Sequence, residues 1–212
     1  MWDRYYSKLK RLPKRLEKLA RFVIEAVPVF KSCKVEKVLD LGCGVGRHCI
    51  YLTKNGFDVI GVDVSKHALI MAKEWVRKKM VVNTSFIQAS MTNLPFADCY
   101  FDAVVSVSVI HHAIKRDIVN AVGEVYRILK EKGLFLANLT SNKDPRYGTG
   151  QKIEDNTFRI LEAFEEKRFE ELHHFFTEQE ISNLLFCFAE AKVELLKDKP
   201  YYWRIMATRA SC

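Results

Sequence analysis

No stretch of the 212 residues approaches the roughly 20 consecutive apolar residues that a membrane-spanning helix requires. The N-terminal segment MWDRYYSKLKRLPKRLEKL is interrupted by charge and lacks the apolar centre of a secretory signal. Among the six cysteines (Cys33, Cys43, Cys49, Cys99, Cys187 and Cys212) there is no CxxC pair, which argues against a zinc knuckle or a disulfide framework and for reduced thiols. Internal repeats and low-complexity tracts are also missing. Together these absences point to a cytoplasmic protein with no membrane partner. A chain of this length with 49% hydrophobic residues can bury a substantial core, and one domain is expected over residues 1–212.

Acidic residues are scarce near the N-terminus. Lys8, Lys10, Arg11, Lys14, Arg15, Lys18 and Arg21 face only Glu17 in that span, and the whole chain carries a net charge of +8. Such a run reads first as the solvated face of an amphipathic helix and second as a surface for RNA, a membrane or an acidic substrate. The steps Leu9, Leu12, Leu16, Leu19, Val23 and Val27 predict that helix, starting near Pro13 and ended by Pro28.

From residue 35 onward, strand and helix patterns alternate five times. VEKVLDL, FDVIGVDVS, TSFIQAS, FDAVVSVSV and LFLANLT read as strands, with helices over 47–54, from the Ser65 cap to Lys79, and over 117–129. This order predicts a mostly parallel α/β sheet with helices on both faces. After Leu139 the alternation stops. TSNKDPRYGTGQKIEDNTF reads as a long loop, the charged segment through Glu171 as partly helical, and TEQE at 177–180 as a capping box opening a helix to about Phe188. AKVELLKD and YYWRIMATR, separated by a Lys-Pro turn, read as a terminal antiparallel hairpin. The expected layout is an N-terminal helical cap (1–34), a cofactor-binding core (35–139), a substrate-side insertion (140–176) and a C-terminal helix and hairpin (177–212).

Within the core, VLDLGCGVGRHCIYL joins a strand to a helix through a glycine-rich turn, whose free N–H groups and dipole suit a nucleotide. Gly42 and Gly44 allow close backbone approach, and Gly46 lets the helix start against the sheet. Asp63 ends the next strand, where a carboxylate can accept from both ribose hydroxyls. The nicotinamide fingerprint GxGxxG is absent, because position 47 is arginine. Asp40, just before the turn, would be a poor neighbour for a pyrophosphate and a good one for an ammonium group.

These segments, with GVDVS and NLPFADCYFDAVVSVSVIHH, resemble the motifs of class I S-adenosylmethionine (SAM)-dependent methyltransferases, of the kind called methyltransferase type 11, in order and spacing over about residues 35–139. The resemblance implies a Rossmann-like, mostly parallel seven-stranded sheet with an antiparallel last strand. It implies SAM as the cofactor and S-adenosylhomocysteine as the product. It also places Asp40 near the ammonium group of SAM, and Gly42, Cys43 and Gly44 against its methionyl part. Asp63 falls on the ribose and Val64 on the adenine. Ser90 stands where the family often has an aspartate for the adenine amino group, so Ser90 or the Met91 backbone takes that contact. Val107, at the end of the fourth strand, completes the cofactor set.

Methyl transfer needs a general base only if the acceptor loses a proton. His111 and His112 are the candidates, weighed against a purely structural role in closing the turn. Trp2, Tyr5 and Tyr6 are candidates for a lid, and Tyr147 and His174 for the substrate side. Two HH pairs do not have metal-ligand spacing, so no metal is expected. The expected acceptor is a small molecule, because the Asn/Asp-Pro-Pro-Tyr/Phe signature of nitrogen methylation on adenine or amides is missing and no RNA-binding domain is appended. RNA or protein methylation, and a non-catalytic SAM-binding module, are the alternatives.

Overall fold

The structure is a computed structural model that describes residues 2–9, 12–164, 167–196 and 201–211. Lys10 and Arg11 of the basic run, the Lys199-Pro200 turn and Cys212 lie outside the described residues. Strands β1 (Lys37–Leu41), β2 (Asp58–Asp63), β3 (Thr84–Gln88), β4 (Phe101–Val107) and β5 (Leu129–Thr140) pair in parallel. β9 (Phe188–Leu196) and β10 (Tyr202–Arg209) extend the sheet to the order β3-β2-β1-β4-β5-β10-β9, with β10 antiparallel to both neighbours. The chain's last strand is therefore the reversed one, as the family resemblance implies.

Period-2 alternation on buried strands feeds two cores, one on each face. In β4, Val104 joins the core formed with Ile118, Val122 and Val125 of α5 (Lys115–Ile128) and Ile181 of α6 (Glu178–Leu184). Ala103 and Val105 point the other way, to Phe22, Val23 and Phe30 of α2 (Arg21–Ser32), Cys49 and Leu52 of α3 (Arg47–Lys54) and Leu69 of α4 (Lys66–Lys78). Two caps come out as read: Ser65 Oγ accepts from Ala68 N, and Thr177 and Glu180 form a reciprocal capping box. No described helix is long and apolar enough to cross a membrane.

Two expectations are corrected. The helix expected from near Pro13 to Pro28 is instead a 3₁₀ turn (Lys14–Glu17) followed by α2, with Pro28 inside α2 rather than ending it, and a separate short helix, α1 (Trp2–Ser7), precedes them. The apolar positions are real, but Leu9, Leu12 and Leu16 pack around Tyr5, Tyr6 and Val45 near α1, while Val23 and Val27 pack under the sheet. Pro28 removes one N–H from α2, yet five buried side chains on the helix face hold it in place. The second correction concerns residues 140–176. The expected loop holds over 142–150, but in place of its remainder and of the helix there is an antiparallel three-stranded sheet of β6 (Gln151–Glu154), β7 (Thr157–Phe164) and β8 (Lys167–His174). Phe158 and Ile160 are buried and alternate with exposed Arg159 and Leu161, a strand period hidden by the surrounding charge.

Candidate active site

The strand order reverses direction between β1 and β4, and ligands of open α/β sheets bind beyond the strand ends at such a switch point. A cavity of about 420 Å³ lies there, within the size range of small-ligand sites. Gly42, Cys43, Gly44, Asp63, Val64, Ser90, Met91 and Val107 line one side of it.

The turn is built by contacts that exclude a side chain. Gly42 has φ +71°, and a Cβ there would fall 2.2 Å from Val109 Cγ2. At Gly44 (φ +54°) a Cβ would fall 2.9 Å from the Tyr6 hydroxyl. The N–H groups of the turn are not free, however. Those of Gly42 and Cys43 donate to the Val62 carbonyl at 2.7 and 2.9 Å, and that of Gly46 donates to the Cys43 carbonyl at 2.9 Å. Gly44 N donates to Asp63 Oδ2, and Ser65 N to Asp63 Oδ1, both at 2.8 Å. With these donors engaged, the turn suits a ligand without phosphates better than a dinucleotide. Each Asp63 oxygen keeps a lone pair, and burial pushes its carboxyl above the usual aspartate range despite the two backbone donors.

Asp40 does not reach the cavity. It alternates with Leu39 and Leu41 along β1, and its side chain points under α3, where it is 1% exposed and accepts from Cys49 Sγ at 3.1 Å. Burial raises its carboxyl to about 6, with the Cys49 thiol and Arg47 pulling the other way. The residue that lines the cavity here is Arg47, in the first turn of α3 and half-buried. In the sequence Arg47 signals only a missing glycine, although a cation in the first turn after a glycine turn breaks the dipole preference and so marks a site.

Along the cavity lining past Asp63, Val64 is 54% exposed although it is apolar. Ser90 is exposed, with its Oγ 2.9 Å from Thr92 Oγ1. β4 ends at Ser108, which takes a left-handed conformation (φ +57°) held by Asn138, whose Oδ1 accepts from Ser108 N at 2.7 Å and whose Nδ2 donates to Ser108 Oγ at 3.2 Å. Backbone strain secured this firmly is common at functional sites.

The far end of the cavity is a cluster of titratable groups: His111, His112, Arg146, Glu162, Glu171 and His173, with Tyr202. The His112 ring centroid is 4.3 Å from that of His111 and 4.5 Å from that of His173. His112 Nδ1 donates to the Leu172 carbonyl at 3.1 Å and lies 3.3 Å from Glu171 Oε1. Burial holds His111 well below, and His112 down at about 3, so both imidazoles are neutral and weakly basic. His173 behaves differently. Burial works against its charge, but Glu162 and Glu171 raise it above the ordinary value. Arg146 pairs with Asp144 at 2.7 Å and with Glu162 at 2.6 Å.

Of the expected lid, Trp2 and Tyr6 line the cavity, whereas Tyr5 packs behind them, its hydroxyl accepting from Arg15 Nη2 at 3.2 Å. α1 is clamped by Asp3 Oδ1, which accepts from Ser65 Oγ at 2.8 Å and His67 N at 3.0 Å. Two substrate-side candidates fall outside the cavity lining. Tyr147 donates to Asn156 Oδ1 at 2.8 Å. His174 follows His173 along β8, so it takes the opposite face, 2.7 Å from Thr157 Oγ1. Glu162 and Glu171, which sequence reading passes over, and His173, which it gives only as half of a second HH pair beside a lid, reach the cavity because β7 and β8 alternate. Glu171 and His173 share a face, and Glu162 stands diagonally across the pair.

Residues 39–137 match the family described as a methyltransferase domain. An uncharacterized methyltransferase, YcgJ, from Bacillus subtilis is 36% identical over 106 residues, covering 50% of this chain and 41% of its own length. The chain spans less than half the length of the first curated relatives it matches. Among solved structures, the PH0226 protein from Pyrococcus horikoshii is 26% identical with a TM-score of 0.70, over 89% of this chain and 91% of that one. A SAM-dependent methyltransferase from Methanosarcina mazei shares the fold at a TM-score of 0.73 and 21% identity, over 86% and 97%.

Proposed function

We propose that this chain, whose residues 39–137 match a methyltransferase-domain family model, is a class I SAM-dependent methyltransferase that transfers a methyl group from SAM to a small-molecule acceptor. The observation that carries the reading is one continuous cavity with a nucleoside-compatible wall at one end and a cluster of titratable groups at the other. The residues fit the cofactor. Asp63 offers unfilled lone pairs to ribose hydroxyls, Val64 and Met91 offer apolar faces to a base, and Arg47 offers a cation to the carboxylate of an amino-acid tail. Asp40 acts through α3, holding the first turn that carries Arg47.

When bound, SAM supplies an electrophilic methyl group on a good leaving group, so the protein's task is alignment and exclusion of water. Trp2 and Tyr6 roof the cavity, and the Asp3 clamp keeps α1 over it. An acceptor that ionises loses its proton toward the histidine–glutamate end. The volume of about 420 Å³ is in the range of small-ligand sites and supports a small acceptor. Calorimetry with S-adenosylhomocysteine, followed by turnover of a panel of small hydroxyl, thiol and amine acceptors, tests the reading. Binding with S-adenosylhomocysteine release from SAM supports it; binding without release from any acceptor supports a non-catalytic module instead.

A further inference from the structure

The three imidazoles of the cavity come from segments about sixty residues apart in the chain, and each brings a ring nitrogen close to those of the other two. These nitrogens lie within 4.8 Å of one another. Their hydrogen-bond state is unusual for buried groups. His111, 1% exposed, has no partner for Nδ1 among the described residues. His173, 3% exposed, has no partner for Nδ1 among the described residues, while its Nε2 lies 3.1 Å from Glu162 Oε1 and 3.8 Å from Glu171 Oε2. Leaving buried donors and acceptors unmade is costly, and a cluster of them calls for a missing partner. His112 shows what that partner is. Its Nδ1 points to the Leu172 carbonyl, with Glu171 beside it, so Nδ1 holds the hydrogen and Nε2 keeps a lone pair. An imidazole oriented by a carbonyl or carboxylate through one nitrogen, with the other left free, is the usual arrangement of a metal-bound histidine.

Two carboxylates stand beside the imidazoles: Glu162 Oε1 lies 3.1 Å from His173 Nε2, and Glu171 Oε1 lies 3.3 Å from His112 Nδ1.

We infer that His111, His112 and His173 form a binding site for a divalent transition metal of the zinc class, with Glu162 and Glu171 as its carboxylate neighbours. Nitrogen donors favour zinc, cobalt or nickel over magnesium or calcium. Zinc–nitrogen bonds of about 2.05 Å put tetrahedral ligand atoms about 3.4 Å apart, so the nitrogens need to draw in by no more than about 1.4 Å, within reach of side-chain rotation. Three protein ligands leave a position open to the cavity, as in catalytic rather than structural sites. An ion there would take the ionisable oxygen or sulfur of an acceptor and lower its pKa, its proton passing to the glutamates at the same end of the cavity. That consequence rests on the methyl-transfer reading; the metal site itself does not.

The test uses the full chain, stripped with a chelator and dialysed, then titrated with zinc and separately with cobalt(II). One zinc per chain is expected, and cobalt should give the intense visible absorption of a nitrogen-ligated, low-coordinate ion. His112→Ala and His173→Ala should each weaken zinc binding at least tenfold, while His67→Gln, at an exposed histidine, leaves it unchanged. S-adenosylhomocysteine binding and a thermal melt on every variant show whether it is folded. Absence of stoichiometric zinc binding by the folded wild-type chain overturns the inference, as does binding that survives the His112→Ala/His173→Ala double substitution. S-adenosylhomocysteine binding without zinc binding removes the metal and leaves the methyltransferase reading intact; the reverse result removes that reading and leaves the metal.

Discussion

Replacing Gly42 by alanine should destabilise the protein by about 2–5 kcal/mol, with the cost divided between two causes that a second substitution separates. The left-handed backbone (φ +71°) costs a residue with a Cβ about 1–2 kcal/mol. The new Cβ would stand 2.2, 2.6 and 2.9 Å from Cγ2, Cγ1 and Cβ of Val109, an overpacking of about 1–3 kcal/mol. For a chain of this size the sum is a fall in Tm of roughly 4–20 °C. Val109→Ala removes the two nearest atoms and, at a half-buried position, should cost about 1 kcal/mol alone. In the double variant the overpacking is largely relieved and the backbone strain remains, so the pair should be coupled favourably by about 1–2 kcal/mol. Thermal and urea melts of the four proteins measure this. Additivity within about 0.5 kcal/mol would refute the packing of Val109 on the turn.

Asp63→Asn should weaken S-adenosylhomocysteine binding by about 1.5–3 kcal/mol, or roughly 10- to 150-fold, since the amide offers one acceptor where the carboxylate offers two charged ones; calorimetry reads it. Asp3→Ala removes the acceptor shared by Ser65 Oγ and His67 N, so tryptic cleavage after Lys8 should be faster, and saturating S-adenosylhomocysteine should slow it again. His48, whose Nε2 accepts from Ala20 N at 3.1 Å, is held at about 3 by burial, below its unfolded value near 6.5. Its neutral form therefore contributes stability that is present above pH 6.5 and is lost as the pH falls toward 3. His48→Gln should flatten the fall in urea-melt stability between pH 6 and 4 by up to about 1.4 kcal/mol per pH unit.

The sheet, the glycine turn and Asp63 were legible because each is a local pattern. Apolar strands, an N-cap at Ser65 and a capping box at Thr177 declare themselves within a few residues. Three other features depend on long-range placement. Pro28 reads as a stop, yet the buried face of α2 overrides it. Asp40 reads as a ligand contact, but one step of strand alternation turns it beneath α3. The β6–β8 sheet mixes charge with apolar residues on both faces, so its alternation is weak, and only pairing brings Glu162, Glu171 and His173 to the end of β4. His174, adjacent to His173, falls on the other face for the same reason.

Isothermal titration of the purified chain with S-adenosylhomocysteine, alongside NADH, tests directly whether the cavity between β1 and β4 binds SAM. One S-adenosylhomocysteine per chain is expected, binding at least tenfold weaker in Asp63→Asn, with no NADH binding. NADH binding without any response to S-adenosylhomocysteine or SAM would contradict it.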